Sequence, residues 1–518
     1  MNAFAAFDPA WIVHQDSHVL VLNKPAGVPC MAPRQGIVDD LPSRASKALG
    51  QTLKVHQRLD AATSGLIVYS LSDAATRSLA AQFESRSVKK RYLVAANWRG
   101  NGRVLDGRLD GKKARTEVEV LSRRGDRALL SATIETGRRH QIRRHLADAG
   151  APVAGDLRYG GPPAPHLLLQ SETLEIHQGR WSLPALPVFD HWLEGEDSTP
   201  LDEVGALETR LRGAAQQRYW LSQTSTTCFR LANGEGDGLR GFAVDVYGDH
   251  FVLHLYDEGS KHEETILDAL MRLGPGGIYV KRRPRQANEL VEAGERAPAG
   301  PLRGVPAPDP LIVHEEDVAY SVRLGDGLST GLFLDQRDAR RRVRESAKGK
   351  SVLNLFAYTG GFSIAAAVGG ANRVASVDAS KGALARAEAA MHTLGFADHE
   401  TWRHDCFDAL AILKKRGDRF DIVVADPPTY SRVKKKRWTS GKDWTRLAEA
   451  CFHVCERGAT LLLSSNDSRM SARAFRRFVH EGARRANVEI QSLRDLPDPP
   501  DFPAREAALK RLWVTLLP

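Results

Sequence analysis

From Ser351 onward the chain alternates short apolar runs with helix-like stretches, and this constrains the fold more than any other feature. Ser351 to Phe356 reads as a strand, Phe362 to Val368 as a helix, Arg373 to Val377 as a strand and Gly382 to Met391 as a helix. Phe420 to Ala425 and Thr460 to Ser464 are further apolar strand runs. Runs without polar alternation must be covered on both faces, and the intervening helices supply that cover. The expectation is a parallel, doubly wound α/β sheet. In such sheets ligands bind beyond the carboxyl ends of the strands.

The rest of the chain does not share this rhythm. At 518 residues a single core is not expected. Residues 1–198 mix strand runs, such as Val19 to Leu22 and Leu66 to Tyr69, with fewer helical stretches, such as Asp73 to Ser85. That mixture fits an α+β domain. The polar, turn-rich Gly195 to Pro200 marks its end. Residues 205–310 form a small central α+β domain, an RNA-binding or accessory element, whose glycines between Leu231 and Leu239 imply tight turns between strands. Ala297 to Pro310 reads as a linker or surface loop, and residues 311–518 are the doubly wound domain.

Lys and Arg exceed Asp and Glu by 10, which suggests a polyanionic partner. The five cysteines have no paired Cys-x-x-Cys, so neither a zinc site nor a disulfide framework is expected. Cys451 and Cys455 read as an i,i+4 packing pair on one helix. No apolar run approaches the roughly 20 residues of a membrane span, and the N-terminus lacks a basic leader, so a cytoplasmic protein is expected.

The strand ends of the last domain carry a pattern suited to a nucleoside-bearing methyl donor. Tyr358-Thr359-Gly360-Gly361 supplies a turn for close backbone approach. Asp378 and Asp405 follow the next two strands, where one can hold ribose hydroxyls and the other can read adenine. Asp426-Pro427-Pro428 ends the fourth strand in a rigid turn that can present its carbonyls and carboxylate to a base, with Tyr430 as a stacking surface. Residues 218–518 resemble large-subunit ribosomal RNA methyltransferases of the class I fold. The matches are Arg230 to Leu239, Gly331-Leu332-Phe333-Leu334-Asp335-Gln336-Arg337, Asn354 to Gly361, and Asp426 to Ser431. The resemblance implies S-adenosylmethionine as cofactor, with Phe356, Tyr358, Thr359, Gly360, Asp378, Asp405, Asp426, Gln336 and Arg337 around it. Cytosine-C5 enzymes of this group carry a nucleophilic cysteine just past the fifth strand. Here that position reads Ser464-Ser465-Asn466-Asp467, and serine is a poor substitute. Cys406 reads as structural. Guanine-nitrogen methylation is therefore expected over cytosine-C5 methylation.

Near the N-terminus, Arg58-Leu59-Asp60 offers a carboxylate that can break and remake a glycosidic bond. Taken alone, Arg-x-Asp is more often a surface ion pair. Residues 1–190 resemble the RluA-type pseudouridine synthases. The matches, in order, are Asn23 to Gly27, Arg58 to Gly65, Lys89 to Tyr92, Thr136 to Arg143, Gly155 to Gly160 and Leu167 to Leu169. The resemblance implies Asp60 as catalytic carboxylate, Tyr92 stacked on the uracil, Arg143 paired with Asp60, and no cofactor. One departure is Gln57, where the family usually has His directly before the Arg; His56 lies one place back. The synthase pattern starts by about residue 11, with no S4-type RNA-binding segment ahead of it.

Basic clusters recur at Lys281 to Arg283 with Arg285, at Arg340 to Arg342, and at Lys434, Lys435, Lys436 and Arg437. Those last four follow the Asp-Pro-Pro turn and are expected, with Arg58, to contact RNA. Arg340 to Arg342 are expected on a solvated face. The combined expectation is a bifunctional enzyme acting on RNA, most readily 23S ribosomal RNA. Alternatives are a synthase module kept as an RNA platform, cytosine-C5 methylation, transfer RNA as the synthase substrate, and a methyltransferase of proteins or small molecules.

Overall fold

The computed structural model describes residues 7–31, 40–197, 199–283, 296–428, 430–433, 436–504 and 509–518. The chain divides into two compact units. One comprises Met1–Ser225, Leu231–Leu290 and Leu302–Val305; the other comprises Thr226–Arg230, Val291–Pro301 and Pro306–Pro518.

In the first unit the main sheet runs in the order Ile12–Gln15, Val19–Lys24, Ser64–Ser70, Leu169–Ile176, Lys89–Asn97, Arg127–Ile134, Lys112–Arg124 and Arg103–Leu109. The pairing of Ser64–Ser70 with Leu169–Ile176 is parallel, and the other pairings along this path are antiparallel. Gly65 makes the parallel contact possible. It sits at φ +105°, and a β-carbon there would lie 2.3 Å from the Ser171 carbonyl oxygen. Helix Asp73–Glu84 is capped by the Ser72 hydroxyl and buries Ala75 and Leu79 against Val21, Leu66 and Val68. On the other face Leu20, Leu22, Ile67, Tyr69, Val94 and Leu130 pack together, with Tyr92 and Leu59 in the same cluster. Antiparallel strands Phe242–Tyr247 and His250–Leu255 form the middle of a small five-stranded sheet. Its outermost pairing is made by Arg303–Gly304, inside the stretch expected to be a linker.

In the second unit the seven-stranded sheet has the order His399–Arg403, Arg373–Asp378, Ser351–Leu355, Phe420–Ala425, Cys455–Ser465, Lys510–Leu516 and Ile490–Asp495. The first five strands are parallel, as expected. Lys510–Leu516 alone runs against the others, pairing antiparallel with Cys455–Ser465 on one side and with Ile490–Asp495 on the other. Helices Gly361–Val368, Lys381–Thr393, Cys406–Arg416 and Ser440–Phe452 follow successive strands. Leu353, Leu355, Val377, Val423, Leu461 and Leu463 form the strand side of the core beside Trp444 and Phe475. Cys451 ends a helix while Cys455 begins a strand, so the expected i,i+4 helix pair is not formed.

Two basic clusters turn inward. Lys281 is fully buried on its strand, and Arg282 pairs with Glu263. Arg340 is buried against Glu315, Arg341 lies 3.4 Å from Glu316, and Arg342 lies over the Trp513 ring. The solvated face expected for Arg340 to Arg342 is corrected at Arg340, because a guanidinium in the core needs a carboxylate and Glu315 supplies it; Arg341 and Arg342 stay half-buried.

Candidate active sites

The first site is built where the loop between Lys54–Val55 and Ser64–Ser70 meets the start of helix Gln141–Asp148. Asp60 lies on that loop, in a turn closed by Thr63 N–H donating to the Asp60 carbonyl at 3.0 Å. The loop is braced by Lys24. This side chain is wholly buried, and its ammonium donates to the carbonyls of Pro25, Val28 and Ala61 at 3.0, 2.7 and 2.8 Å. Burial presses its pKa down to about 8. Gly27 N–H adds a bond to the same Ala61 carbonyl at 2.7 Å. Holding the Asp60 loop is thus the role of Lys24 within the Asn23 to Gly27 motif.

Arg143 links two carboxylates. Its Nη1 donates to Asp60 Oδ2 at 3.1 Å, while Nε and Nη2 donate to both oxygens of Asp156 at 2.7 and 2.9 Å. Asp156 is buried and also accepts from the backbone N–H groups of Arg158 and Tyr159. The bidentate fork to Asp156 fixes the guanidinium plane, and the remaining nitrogen is aimed at Asp60. Tyr92 is buried beneath; burial first, then the charge of Asp60, raises its hydroxyl above the ordinary phenol range, opposed by a hydrogen bond to Ser171. The expected Asp60–Arg143 contact is thus in place, with Tyr92 close enough to sense Asp60.

Asp60 opens onto a cleft of about 860 Å³ lined by Arg58, Arg86, Lys90, Arg138, Arg139 and His140, among others. Five guanidinium or ammonium groups against two carboxylates, Asp60 and Glu135, suit a polyanion. Arg58 lies against the Met31 sulfur at 3.1 Å. Gln57 is on the same wall, and its buried amide nitrogen has no hydrogen-bond partner among the described residues. His56 bonds to the Ser70 hydroxyl at 2.8 Å and stacks on Phe83.

The second site lies at the carboxyl ends of the parallel strands. After Ser351–Leu355 the backbone passes through left-handed conformations at Phe356, Tyr358 and Gly360. A β-carbon on Gly360 would meet that of Ala387 at 2.8 Å, so this position requires glycine. Asp378 locks the turn: one oxygen accepts from Tyr358 N–H and the other from Ser380 N–H, each at 2.8 Å. Asp405 caps helix Cys406–Arg416 through Phe407 N–H at 3.0 Å. Asp426 accepts from the Gln336 amide at 2.8 Å, and Gln336 accepts in turn from Arg511 at 3.0 Å. Burial pushes the Asp426 carboxyl up to about 6, with Asp335 adding to the shift.

Gln336, Phe356, Tyr358, Asp378, Asp405, Asp426, Pro427 and Pro428 line one cleft of about 330 Å³. Phe333, Asp335, His404, Phe407, Asn466 and Leu509 line it too and went unnamed as site residues from sequence. Of these, Phe333 stands 53% exposed, 5.7 Å from the Tyr358 ring; its place inside a matched motif is the signal the sequence held for it. Thr359, Gly360 and Arg337 are not on the wall. The Thr359 hydroxyl donates to the Gly331 carbonyl, and Arg337 is buried in an ion pair with Asp501. Asp378 keeps lone pairs for ribose hydroxyls, so the acceptors fit an adenosyl donor. Cys406 also lines the cleft, but burial raises its thiol well above the ordinary range. Thr429, Lys434 and Lys435 lie outside the described residues, as do the side chains of Tyr430, Lys436 and Arg437. Among the described residues no helix is long and apolar enough to cross a membrane.

Comparison with known proteins matches both halves. A family model for S-adenosylmethionine-dependent methyltransferases covers residues 300–515. One for RNA pseudouridylate synthases covers residues 18–148. The Bacillus subtilis protein named "Putative ribosomal RNA large subunit methyltransferase YwbD" is 33% identical over 57% of this chain and 75% of its own. Ribosomal RNA large subunit methyltransferase I of Escherichia coli strain K12 is 31% identical over 64% of this chain and 86% of its own. A solved structure titled "SMU.776, a putative methyltransferase complexed with SAH" aligns at TM-score 0.55 and 28% identity, covering 60% of this chain and 82% of that one. The chain is therefore a multidomain enzyme of the ribosomal RNA large-subunit methyltransferase family, with an S-adenosylmethionine-dependent domain and an RNA pseudouridylate synthase domain ahead of it.

Proposed function

We propose that this chain isomerises uridine to pseudouridine in its first cleft and methylates a guanine nitrogen of 23S ribosomal RNA in its second. The observation that carries the first half is the Asp156–Arg143–Asp60 chain at the wall of a basic cleft. Asp60 attacks or ejects at the ribose carbon that bears uracil. Arg143 keeps the carboxylate aimed, and Tyr92 lies beneath the uracil and assists at its C5 proton. Arg58 contacts the RNA at the cleft mouth.

In the second cleft, Asp378 takes the ribose hydroxyls, and the Asp405 side faces adenine. Phe356, Tyr358, Thr359 and Gly360 form the turn beneath the donor, with Gln336 next to it; Arg337 acts from behind through Asp501. Bound S-adenosylmethionine supplies an electrophilic methyl group on a sulfonium. The carbonyls and carboxylate of Asp426, Pro427 and Pro428 accept from the N–H edge of the base, Tyr430 stacks on it, and Lys434 to Arg437 hold phosphates.

Guanine is favoured over cytosine-C5 because no usable thiolate faces this turn. The strand Cys455–Ser465 ends in Ser464 and Ser465, both buried, and Asn466 takes the next place on the cleft wall. Cys406 is the cysteine on the wall, on the Asp405 side with its thiol held protonated. A guanine nitrogen attacks the methyl through its own lone pair and needs no covalent enzyme intermediate. The small central domain, residues 205–310, serves as an accessory element for RNA. Ribosomal RNA as substrate rests on the names of the relatives and on the excess of 10 positive charges. The test is methyl transfer from labelled donor into ribosomal RNA, followed by nucleoside analysis: labelled methylguanosine supports the reading, and labelled 5-methylcytidine overturns it.

A further inference from the structure

Asp60 presents two unlike oxygens. Oδ2 accepts from Arg143 Nη1 at 3.1 Å. Oδ1 has no hydrogen-bond donor in reach among the described residues; the His140 ring stands opposite it, with Nε2 3.7 Å away. His140 is fixed from its other side, where Nδ1 lies 3.0 Å from the Tyr159 hydroxyl. A phenol donating to Nδ1 leaves the ring proton on Nε2, facing Asp60. The Tyr159 ring meets the edge of His140 at 83° and lies under the Arg143 guanidinium, so Arg143 and His140 share one support.

The backbone at His140 adds an independent observation. His140 occupies the N-cap of helix Gln141–Asp148 in a left-handed conformation, φ 53°, and makes no side-chain cap bond. Ser, Thr, Asp or Asn at this position would cap the helix with its side chain. Here the side chain is turned instead onto the cleft wall, beside Asp60.

We propose that His140 is a positioning residue for Asp60, with its tautomer set by Tyr159, and that Oδ1, the oxygen opposite His140, is the one that meets the substrate ribose. The proposal deepens the synthase reading above and rests on it. Arg143 and His140 bracket the carboxylate, one on each oxygen, which fixes its plane. The 3.7 Å gap closes to a hydrogen bond as a nucleotide fills the cleft. Burial first, then Arg143, Arg158 and Arg139, hold the imidazole below its ordinary range, against the pull of Asp60. At neutral pH His140 is therefore an uncharged donor. When it gains a proton at lower pH, the imidazolium pairs with Oδ1 and quenches it. The acid limb of synthase activity then belongs to His140.

The experiment is single-turnover pseudouridine formation between pH 5 and 9, using ribosomal RNA from cells lacking this protein. His140→Phe removes donor and charge together; the expected fall in rate is about 10- to 100-fold, the range for one hydrogen bond to a charged group. His140→Gln keeps a donor that does not titrate; it should recover most of the rate at pH 8 and move the acid limb to lower pH. Tyr159→Phe should give an intermediate rate, because it frees the tautomer. His140→Phe within twofold of the parent rate, or His140→Gln with the parent acid limb, overturns the proposal while the synthase reading stands. A parent chain that forms no pseudouridine overturns both.

Discussion

At the scale of single residues, each site turns on a carboxylate held by its neighbours, Asp60 by Arg143 and Asp426 by Gln336. Asp60→Asn should abolish pseudouridine formation, by about a thousandfold or more, while methyl transfer by the same preparation is unchanged. Asp156 is predicted to matter for stability as well as rate. Its removal leaves the Arg143 guanidinium, bonded through three nitrogens, with one weak partner. Asp156→Asn should lower stability by about 3–5 kcal/mol in chemical denaturation, the range for breaking a buried pair. Asp426 behaves in the opposite sense. Its folded carboxyl, at about 6, lies above the ordinary 3.8, so stability is full below about 3.8 and falls as pH rises through 6. Asp426→Asn should therefore unfold later than the parent at pH 8, by up to about 3 kcal/mol, and at the same point at pH 3.5. It should also lose methyl transfer. A variant less stable than the parent at pH 8 would contradict this account of the site.

At the scale of elements, strand ends explain why so much of the second site was legible. A parallel strand of apolar residues announces itself, and a polar residue directly after it has few other uses; Asp378 and Asp426 were found that way. The two strands Ile490–Asp495 and Lys510–Leu516, which pair antiparallel, were not. They carry Arg and Lys among their apolar residues, and their pairing is decided by distant partners rather than by local pattern. Arg340 was misplaced on a solvated face for a related reason. A run of Arg says nothing about which carboxylate it will meet, and Glu315 lies 25 residues from Arg340. Asp156, His140 and Lys24 sat inside recognised motifs, yet their roles depend on hydrogen bonds between elements far apart in the chain. Gly65 is the clearest test at this scale. Its backbone, at φ +105°, lets Ser64–Ser70 lie against Leu169–Ile176, where a β-carbon would lie 2.3 Å from the Ser171 carbonyl oxygen. Gly65→Ala should cost about 2–4 kcal/mol and lower synthase activity with it, since the Asp60 loop leads directly into that strand. Unchanged stability in a denaturant melt would contradict the packing described.

At the scale of the whole molecule, each unit holds its own cleft, built from its own residues. The two chemistries share no catalytic group, so each should survive loss of the other. The chain's excess of positive charge suits a polyanionic partner, and the basic side chains gather at the first cleft, whereas the second is lined by Asp335, Asp378, Asp405 and Asp426. The most direct test is mass-spectrometric mapping of 23S ribosomal RNA from cells lacking this protein, complemented with the parent chain, with Asp60→Asn or with Asp426→Asn. The account predicts one pseudouridine and one methylated guanine missing from the deletion. The parent should restore both, Asp60→Asn the methylguanine alone, and Asp426→Asn the pseudouridine alone. Ribosomal RNA with both modifications intact in the deletion, or with a lost 5-methylcytosine in place of the methylguanine, would contradict it.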